Sequence, residues 1–142
     1  MSEVSDRPKR SGPRPVGLHA EFYEYCAKGE LRFQRCVGCR AWRHLPRVMC
    51  AKCGSPRWHW ERASGHGRIF SWTVTHRPPH PALAAEVPYA AVVVEMEEGV
   101  RLVSRLRGLA PEKVELELPV EVEFEELSDG FTLPVFRPVP AR

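Results

Sequence analysis

Apolar and polar positions follow three rhythms along the chain, and each predicts a different element. Between Gly17 and Glu30, Leu18, Phe22, Tyr25 and Cys26 recur at spacings of four, three and one. That is one stripe of a helix, and Gly29 supplies its stop. So short a helix persists only when docked. From Leu31 to Trp60 no period is sustained, and that stretch holds four of the five cysteines and three of the four tryptophans. Such a segment has no core of its own and needs a metal to fold.

From Gly65 onward the period is two, the signature of strands. Arg68–His76 places Phe70, Trp72 and Val74 on one face. The prolines of the next stretch, HRPPHPALAAEVP, cannot donate to a ladder, so it forms a loop. Tyr89–Met96 is an apolar run that reads as a strand buried on both faces. The Glu97-Glu98-Gly99 turn hands it to Val100–Leu106. Val120–Glu126 alternates strictly, with Val120, Val122 and Phe124 inward and Glu121, Glu123 and Glu125 outward. After the Ser128-Asp129-Gly130 turn, Leu133–Arg137 forms a last strand, with Pro134 marking an edge or bulge. Five short strands without a helical crossover predict a small barrel or sandwich.

Composition changes this picture little and charge changes it more. At 142 residues, 43% hydrophobic and 27% charged, the chain is of one-domain size and not disordered overall. No stretch approaches the ~20 apolar residues of a membrane span and no apolar signal core is present, so the expected location is the cytoplasm, with no membrane partner. The net charge of +3 splits unevenly: residues 1–62 carry 13 Lys/Arg against 6 Asp/Glu, and residues 63–142 carry 8 against 12. A basic front and an acidic back suggest modules with different surfaces. The boundaries expected are a flexible tail over residues 1–16, a docking helix over 17–30, a metal ribbon over 31–62 and a barrel over 63–142. The tail has three prolines and few apolar residues, so it cannot offset its own ordering entropy.

Candidate chemistry lies in Cys36-Val37-Gly38-Cys39 and Cys50-Ala51-Lys52-Cys53. Two residues between cysteines let one tight knuckle aim both sulfurs at one ion, and a second knuckle completes a tetrahedral zinc shell. Gly54 relaxes the second knuckle through φ > 0. A four-thiolate shell is closed, so Zn2+ here is structural; the alternatives for the same residues are a redox dithiol and a catalytic metal. Arg35, Arg40, Arg43, Arg47 and Lys52 stand near in sequence to offset the charge of the sulfurs. Cys26 reads as a packed core thiol. His19, His44 and His59 read as surface residues, and the glycines around His66 as tight backbone geometry. His76 and His80 flank Pro78-Pro79 at a strand exit; with Arg77 and Tyr89 they are candidate ligand or partner contacts. Arg101, Arg105 and Arg107 can face Glu121, Glu123 and Glu125 across strands, reading as an exposed charged face or, alternatively, a partner-docking surface.

Several local motifs in this order resemble a known family. They are Gly29-Glu30-Leu31 after the helix, Gln34-Arg35 before the first knuckle, and Leu45-Pro46-Arg47 before the second. Ser64-Gly65-His66-Gly67, Ser71-Trp72-Thr73-Val74, Pro88-Tyr89, Glu98-Gly99 and Pro134-Val135-Phe136 follow. From about Phe22 to Phe136 the chain resembles the rubredoxin-type zinc-ribbon plus OB-fold, acyl-CoA-associated proteins (domain of unknown function 35). The resemblance implies a mainly β fold: an N-terminal amphipathic helix, a four-cysteine zinc ribbon with ligands Cys36, Cys39, Cys50 and Cys53, then a five-stranded OB-fold barrel. It also implies a non-catalytic accessory subunit in a hetero-oligomer with a thiolase-superfamily enzyme, acyl-CoA lying at the interface. The first such partner is a steroid side-chain retro-aldolase and the second an acyl-CoA acetyltransferase; some relatives travel with hot-dog enoyl-CoA hydratases. No catalytic residue is carried over. Two readings compete. A single-stranded nucleic-acid binder needs a basic, aromatic-lined groove, which the glutamate-rich barrel half disfavours. An enzyme acting alone would have only His76, His80 and the cysteines to work with.

Overall fold

The computed structural model, which describes residues 9–140, places one α-helix and eight strands in chain order. Helix α1 (Leu18–Ala27) buries Phe22 and Cys26. It ends where Gly29 turns left-handed at φ 76°, with the Glu30 N–H bonding the Tyr25 carbonyl and the Gly29 N–H bonding that of Cys26. That pair of bonds is the helix-ending motif that favours glycine, because no Cβ crowds the reversed backbone.

Strands β1 (Arg32–Cys36), β2 (Trp42–Arg43) and β3 (Trp58–Arg62) form a small antiparallel sheet in the order β2-β1-β3. The other five are β4 (His66–Thr75), β5 (Tyr89–Met96), β6 (Arg101–Leu106), β7 (Pro119–Glu126) and β8 (Thr132–Pro138). They close into a barrel in the order β4-β5-β6-β8-β7, so the OB-type topology expected from the motifs is the one formed. Helix, ribbon and barrel share one hydrophobic cluster: Phe22, Cys26, Leu31 and Phe33 pack with Ile69, Val92, Val94, Leu106, Val120 and Phe136. The ribbon therefore borrows its apolar floor from the barrel and the helix.

The structure corrects several readings of the strand pattern. A bulge between Ile69 and Ser71 leaves Phe70 unpaired and 44% exposed, while Ile69 is buried. One inserted residue reverses which side chains face inward, so Phe70 does not accompany Trp72 and Val74 against the core. Strand β5 is buried on one face only: Ala90, Val92, Val94 and Met96 are sealed, and their alternates are half-exposed. Among the described residues no second layer seals the outer face of β5. Pro134 is buried within the closed ring rather than on an edge. It sits at the seam where β6 and β8 run parallel and pair only at Leu106–Phe136, with the Ser104 hydroxyl donating to the Pro134 carbonyl at 2.8 Å.

Of the arginine–glutamate pairs that the sequence allows across strands, only Arg107–Glu125 (3.5 Å) forms. Strand β8 stands between β6 and β7, so Arg137 takes Glu121 at 2.9 Å and Glu123 at 3.6 Å. Arg101 turns to Glu95 and Arg105 to Glu86. The expected tail also differs in part. Its residues 1–8 lie outside the described residues, but Arg10 and Gly12 are tied to the barrel. Arg10 reaches Glu125 at 2.7 Å and Glu86 at 3.1 Å, and the Gly12 N–H donates to the Asp129 carboxylate at 2.8 Å. This stretch cannot order itself, but carboxylates far along the chain supply what its composition lacks.

Candidate metal centre

The first knuckle leaves β1 at Cys36 and the second lies in the connection between β2 and β3; each bends over its own backbone. In the first, the Arg40 N–H bonds the Cys36 carbonyl at 3.0 Å; in the second, the Gly54 N–H bonds that of Cys50 at 2.9 Å. Both closing residues are left-handed, Gly54 at φ 74° and Arg40 at φ 67°. The glycine was legible in the sequence; the arginine in the equivalent place was not. The Val37 N–H bonds the Arg57 carbonyl, tying the first knuckle to the segment after the second, and the Cys50 N–H bonds the Ser55 carbonyl, closing the second knuckle on itself.

The four sulfurs of Cys36, Cys39, Cys50 and Cys53 all lie within 4.8 Å of one another. Cys36 and Cys53 are 3.5 Å apart, and Cys39 and Cys50 are 3.6 Å apart. Zn–S bonds of about 2.3 Å in a tetrahedron separate sulfurs by about 3.8 Å, so the cluster has nearly the spacing the ion demands. The donor set fits Zn2+, and four sulfurs leave no position for water or substrate. Backbone N–H groups of Cys53 and Lys52 pull the Cys50 thiol down to about 6, and that of Cys39 lowers Cys36. Both are thereby disposed to bind as thiolates, whereas Cys53, despite the bond from the Ser55 backbone, is held up at about 11 by the neighbouring cysteine sulfurs. Two of the arginines expected to offset the sulfurs, Arg35 and Arg43, are engaged elsewhere. Arg35 pairs with Glu61 at 2.6 Å and lies over Trp42, while Arg43 donates to the Gln34 side chain and the Arg47 carbonyl at 2.8 Å.

Gln34, which the sequence offers only as part of a motif before the first knuckle, has a structural role that the motif does not reveal. It is fully buried; its oxygen accepts from Arg43 and from the Arg47 N–H, and its nitrogen donates to the Arg47 carbonyl at 2.9 Å. Three bonds from one side chain pin the connection between the knuckles. The signal available was slight: a glutamine two residues before a knuckle, at a central-strand position.

His44 is not the surface residue expected. Its ring packs 5.1 Å from both Phe22 and Phe33, where helix and ribbon meet. Burial, with a smaller contribution from His19, pushes its pKa down to about 4. An unfolded chain then binds a proton that the folded one refuses between about pH 6.5 and 4. Stability from this group is complete above about 6.5 and falls as pH drops through that window. Between pH 7 and 5 the loss should be about 2 kcal/mol. Urea unfolding of zinc-loaded protein at both pH values checks this, since His44→Phe should remove that part of the pH dependence while keeping the metal. Cys26, by contrast, is as expected: it is sealed in the core, and burial raises its thiol to about 12.

The candidate contact residues do not converge on one pocket. His76, Arg77 and His80 are exposed on the β4–β5 loop, and the His80 Nδ1 accepts from the Ala82 N–H at 3.0 Å, capping the turn Pro81–Leu83. Tyr89 opens β5 with the Arg105 guanidinium 4.7 Å over its ring, and lines a small pocket with Leu106, Arg107 and Leu109. A wider groove of about 510 Å³ lies beside the β6–β8 seam, walled by Phe22, Tyr23, Leu45, Leu102, Val103 and Val135. No helix among the described residues is long and apolar enough to cross a membrane.

A four-cysteine ribbon stacked on a closed five-stranded barrel through a shared core defines a zinc-ribbon–OB protein. Residues 24–59 match the ChsH2 rubredoxin-like zinc ribbon domain, and residues 60–125 match the ChsH2 C-terminal OB-fold domain. The solved structure described as "Ltp2-ChsH2(DUF35) aldolase" is 42% identical with a TM-score of 0.81, covering 88% of this chain and 98% of that one. A DUF35 domain-containing scaffold protein of Pyrococcus furiosus is 30% identical over 122 residues, 80% of this chain and 79% of its own length. The chain belongs to the DUF35 family. It is also 41% identical over 138 residues, 96% of its length, to the probable enoyl-CoA hydratase alpha subunit of Thermomonospora curvata, but it spans only 43% of that protein.

Proposed function

We propose that this chain is a non-catalytic accessory subunit that binds and stabilises a larger enzyme acting on CoA thioesters. The observation that carries the reading is the closed four-cysteine cluster set on a barrel: the reactive-looking groups are committed to structure. The cysteines are arranged for a structural ion, Cys26 is sealed with its thiol raised, and His80 caps a turn. The likeness to an Ltp2–ChsH2(DUF35) aldolase and to a DUF35 scaffold supports the same conclusion. We assign the partner to the thiolase superfamily, first to a steroid side-chain retro-aldolase and second to an acyl-CoA acetyltransferase. The exposed loop with His76, Arg77 and His80, together with Tyr89 at its end, is assigned to contact with the partner or its acyl-CoA.

Co-expression with a thiolase-superfamily aldolase, followed by size-exclusion chromatography with light scattering, tests this. The expected result is a near-stoichiometric complex, raised aldolase stability and no turnover of acyl-CoA by the chain alone. A chain that elutes as a lone monomer and leaves the aldolase unchanged would defeat the proposal. A second reading, partner of a hot-dog enoyl-CoA hydratase, is favoured by the name of the Thermomonospora relative; co-elution with such an enzyme instead would move the reaction to hydration. Nucleic-acid binding is disfavoured because the ribbon tryptophans are occupied as stacking partners: Arg35 covers Trp42, and Arg43 and Trp60 lie against Trp58.

A further inference from the structure

From Leu31 to Trp60 the ribbon carries charged side chains of one sign only. Seven Lys/Arg and no Asp/Glu occupy residues 31–60. The flanking carboxylates, Glu30 and Glu61, are already held by Arg32, Arg62 and Arg35. Barrel carboxylates are matched differently: Glu95, Glu121, Glu123 and Glu125 each face an arginine of the barrel or its strap. At the metal end of the ribbon, Arg47, Lys52 and Arg57 are exposed. None of them takes part in the ion pairs among the described residues.

The same end carries exposed aliphatic side chains. Val37 is 49%, Val48 70% and Met49 52% exposed. Val37 lies inside the first knuckle and Val48-Met49 run directly into the second, and the sulfurs of the two knuckles lie within 4.8 Å of one another. The Val37 N–H bond to the Arg57 carbonyl brings one of the cations beside them. An apolar centre rimmed by cations is the anatomy of a protein interface: the centre is desolvated and the rim steers and orients. Nucleic acid would need exposed rings to stack its bases, whereas here the exposed residues are aliphatic and the aromatic ones are turned into the sheet.

We propose that the metal end of the ribbon, centred on Val37, Val48 and Met49 and rimmed by Arg47, Lys52 and Arg57, is the face that docks on the enzyme partner, at a surface with an apolar centre ringed by carboxylates. This rests on the accessory-subunit reading above and names its contact. Zinc then has a second consequence, since the ion that folds the knuckles also builds the interface.

The probe is the Ltp2 component of the similar aldolase complex, with affinity measured at low and moderate salt. The triple change Arg47→Glu, Lys52→Glu, Arg57→Glu should weaken binding at least tenfold and flatten its salt dependence. Val48→Ser with Met49→Ser should weaken it without altering the salt slope. Where charge reversal impairs zinc retention, the neutral triple Arg47→Gln, Lys52→Gln, Arg57→Gln supplies the test, with metal content measured for every variant. Wild-type binding that all these variants retain would overturn the docking face and leave the accessory role standing. No binding by wild type would overturn both. A second copy of this chain is the competing occupant, through exposed Leu116 between Glu115 and Glu117. Sedimentation showing self-association abolished by the same substitutions would assign the face to that copy instead, and oligonucleotide binding lost in the charge variants would assign it to nucleic acid.

Discussion

Stripping the metal with a chelator should melt the ribbon while the barrel strands persist. Structural zinc contributes apparent free energies of about 10–16 kcal/mol in zinc-finger peptides, comparable to the whole stability of an ordinary domain, about 5–15 kcal/mol. The ribbon has little else to hold it. Its three strands are short, β2 being a single pair of residues, and its buried apolar side chains, such as Leu31 and Phe33, face the barrel and helix rather than each other. The near-UV circular dichroism of Trp42, Trp58 and Trp60 should therefore collapse, with far-UV β signal largely kept. Cys50→Ser should do the same from within the chain, dropping bound zinc from about one ion to nearly none. A metal-free sample with an unchanged near-UV spectrum and melting temperature would contradict the structural role of the four cysteines.

Phe33→Ala should be among the costliest single changes. The side chain is fully buried, with the Phe22 ring 6.4 Å and the His44 ring 5.1 Å away. It is therefore the point where ribbon, helix and barrel share one core. Phenylalanine-to-alanine changes at such sites cost about 3–5 kcal/mol, through lost transfer free energy and the cavity left behind. Denaturant unfolding should show that loss as a lower midpoint. Val103→Ala, at a position 76% exposed, is the control and should stay within about 0.5 kcal/mol. A Phe33→Ala loss below about 1 kcal/mol would mean that ribbon and barrel do not share a core.

The site and the fold are legible in the sequence to different degrees, for physical reasons. The knuckles were legible because two residues between cysteines constrain geometry wherever they occur. Gly29 and Gly54 were legible because a helix end and a knuckle both demand left-handed backbone, which glycine adopts freely. Arg40 occupies the same conformation without announcing it, since nothing in its side chain prefers that region. Phe70 was misplaced because a bulge shifts phase at a point that composition does not mark. The helix stripe predicted a docked face but not the surface it meets.

What the sequence determined by itself was local: the helix and its stop, the paired knuckles, the period-two strands and the turns between them. These depend on residues within a few positions of one another, so spacing alone carries the physics. What only the tertiary structure decided depends on residues brought together from far along the chain. Arg10 became a strap because it meets Glu125, 115 residues away. His44 became a core residue because Phe22 and Phe33 enclose it. The ladder that the sequence allows between the arginines of β6 and the glutamates of β7 mostly did not form, because closure of the barrel inserts β8 between them. Periodicity assigns a side chain to a face, but ring closure and packing choose its neighbours, and those neighbours set its charge, its burial and its role.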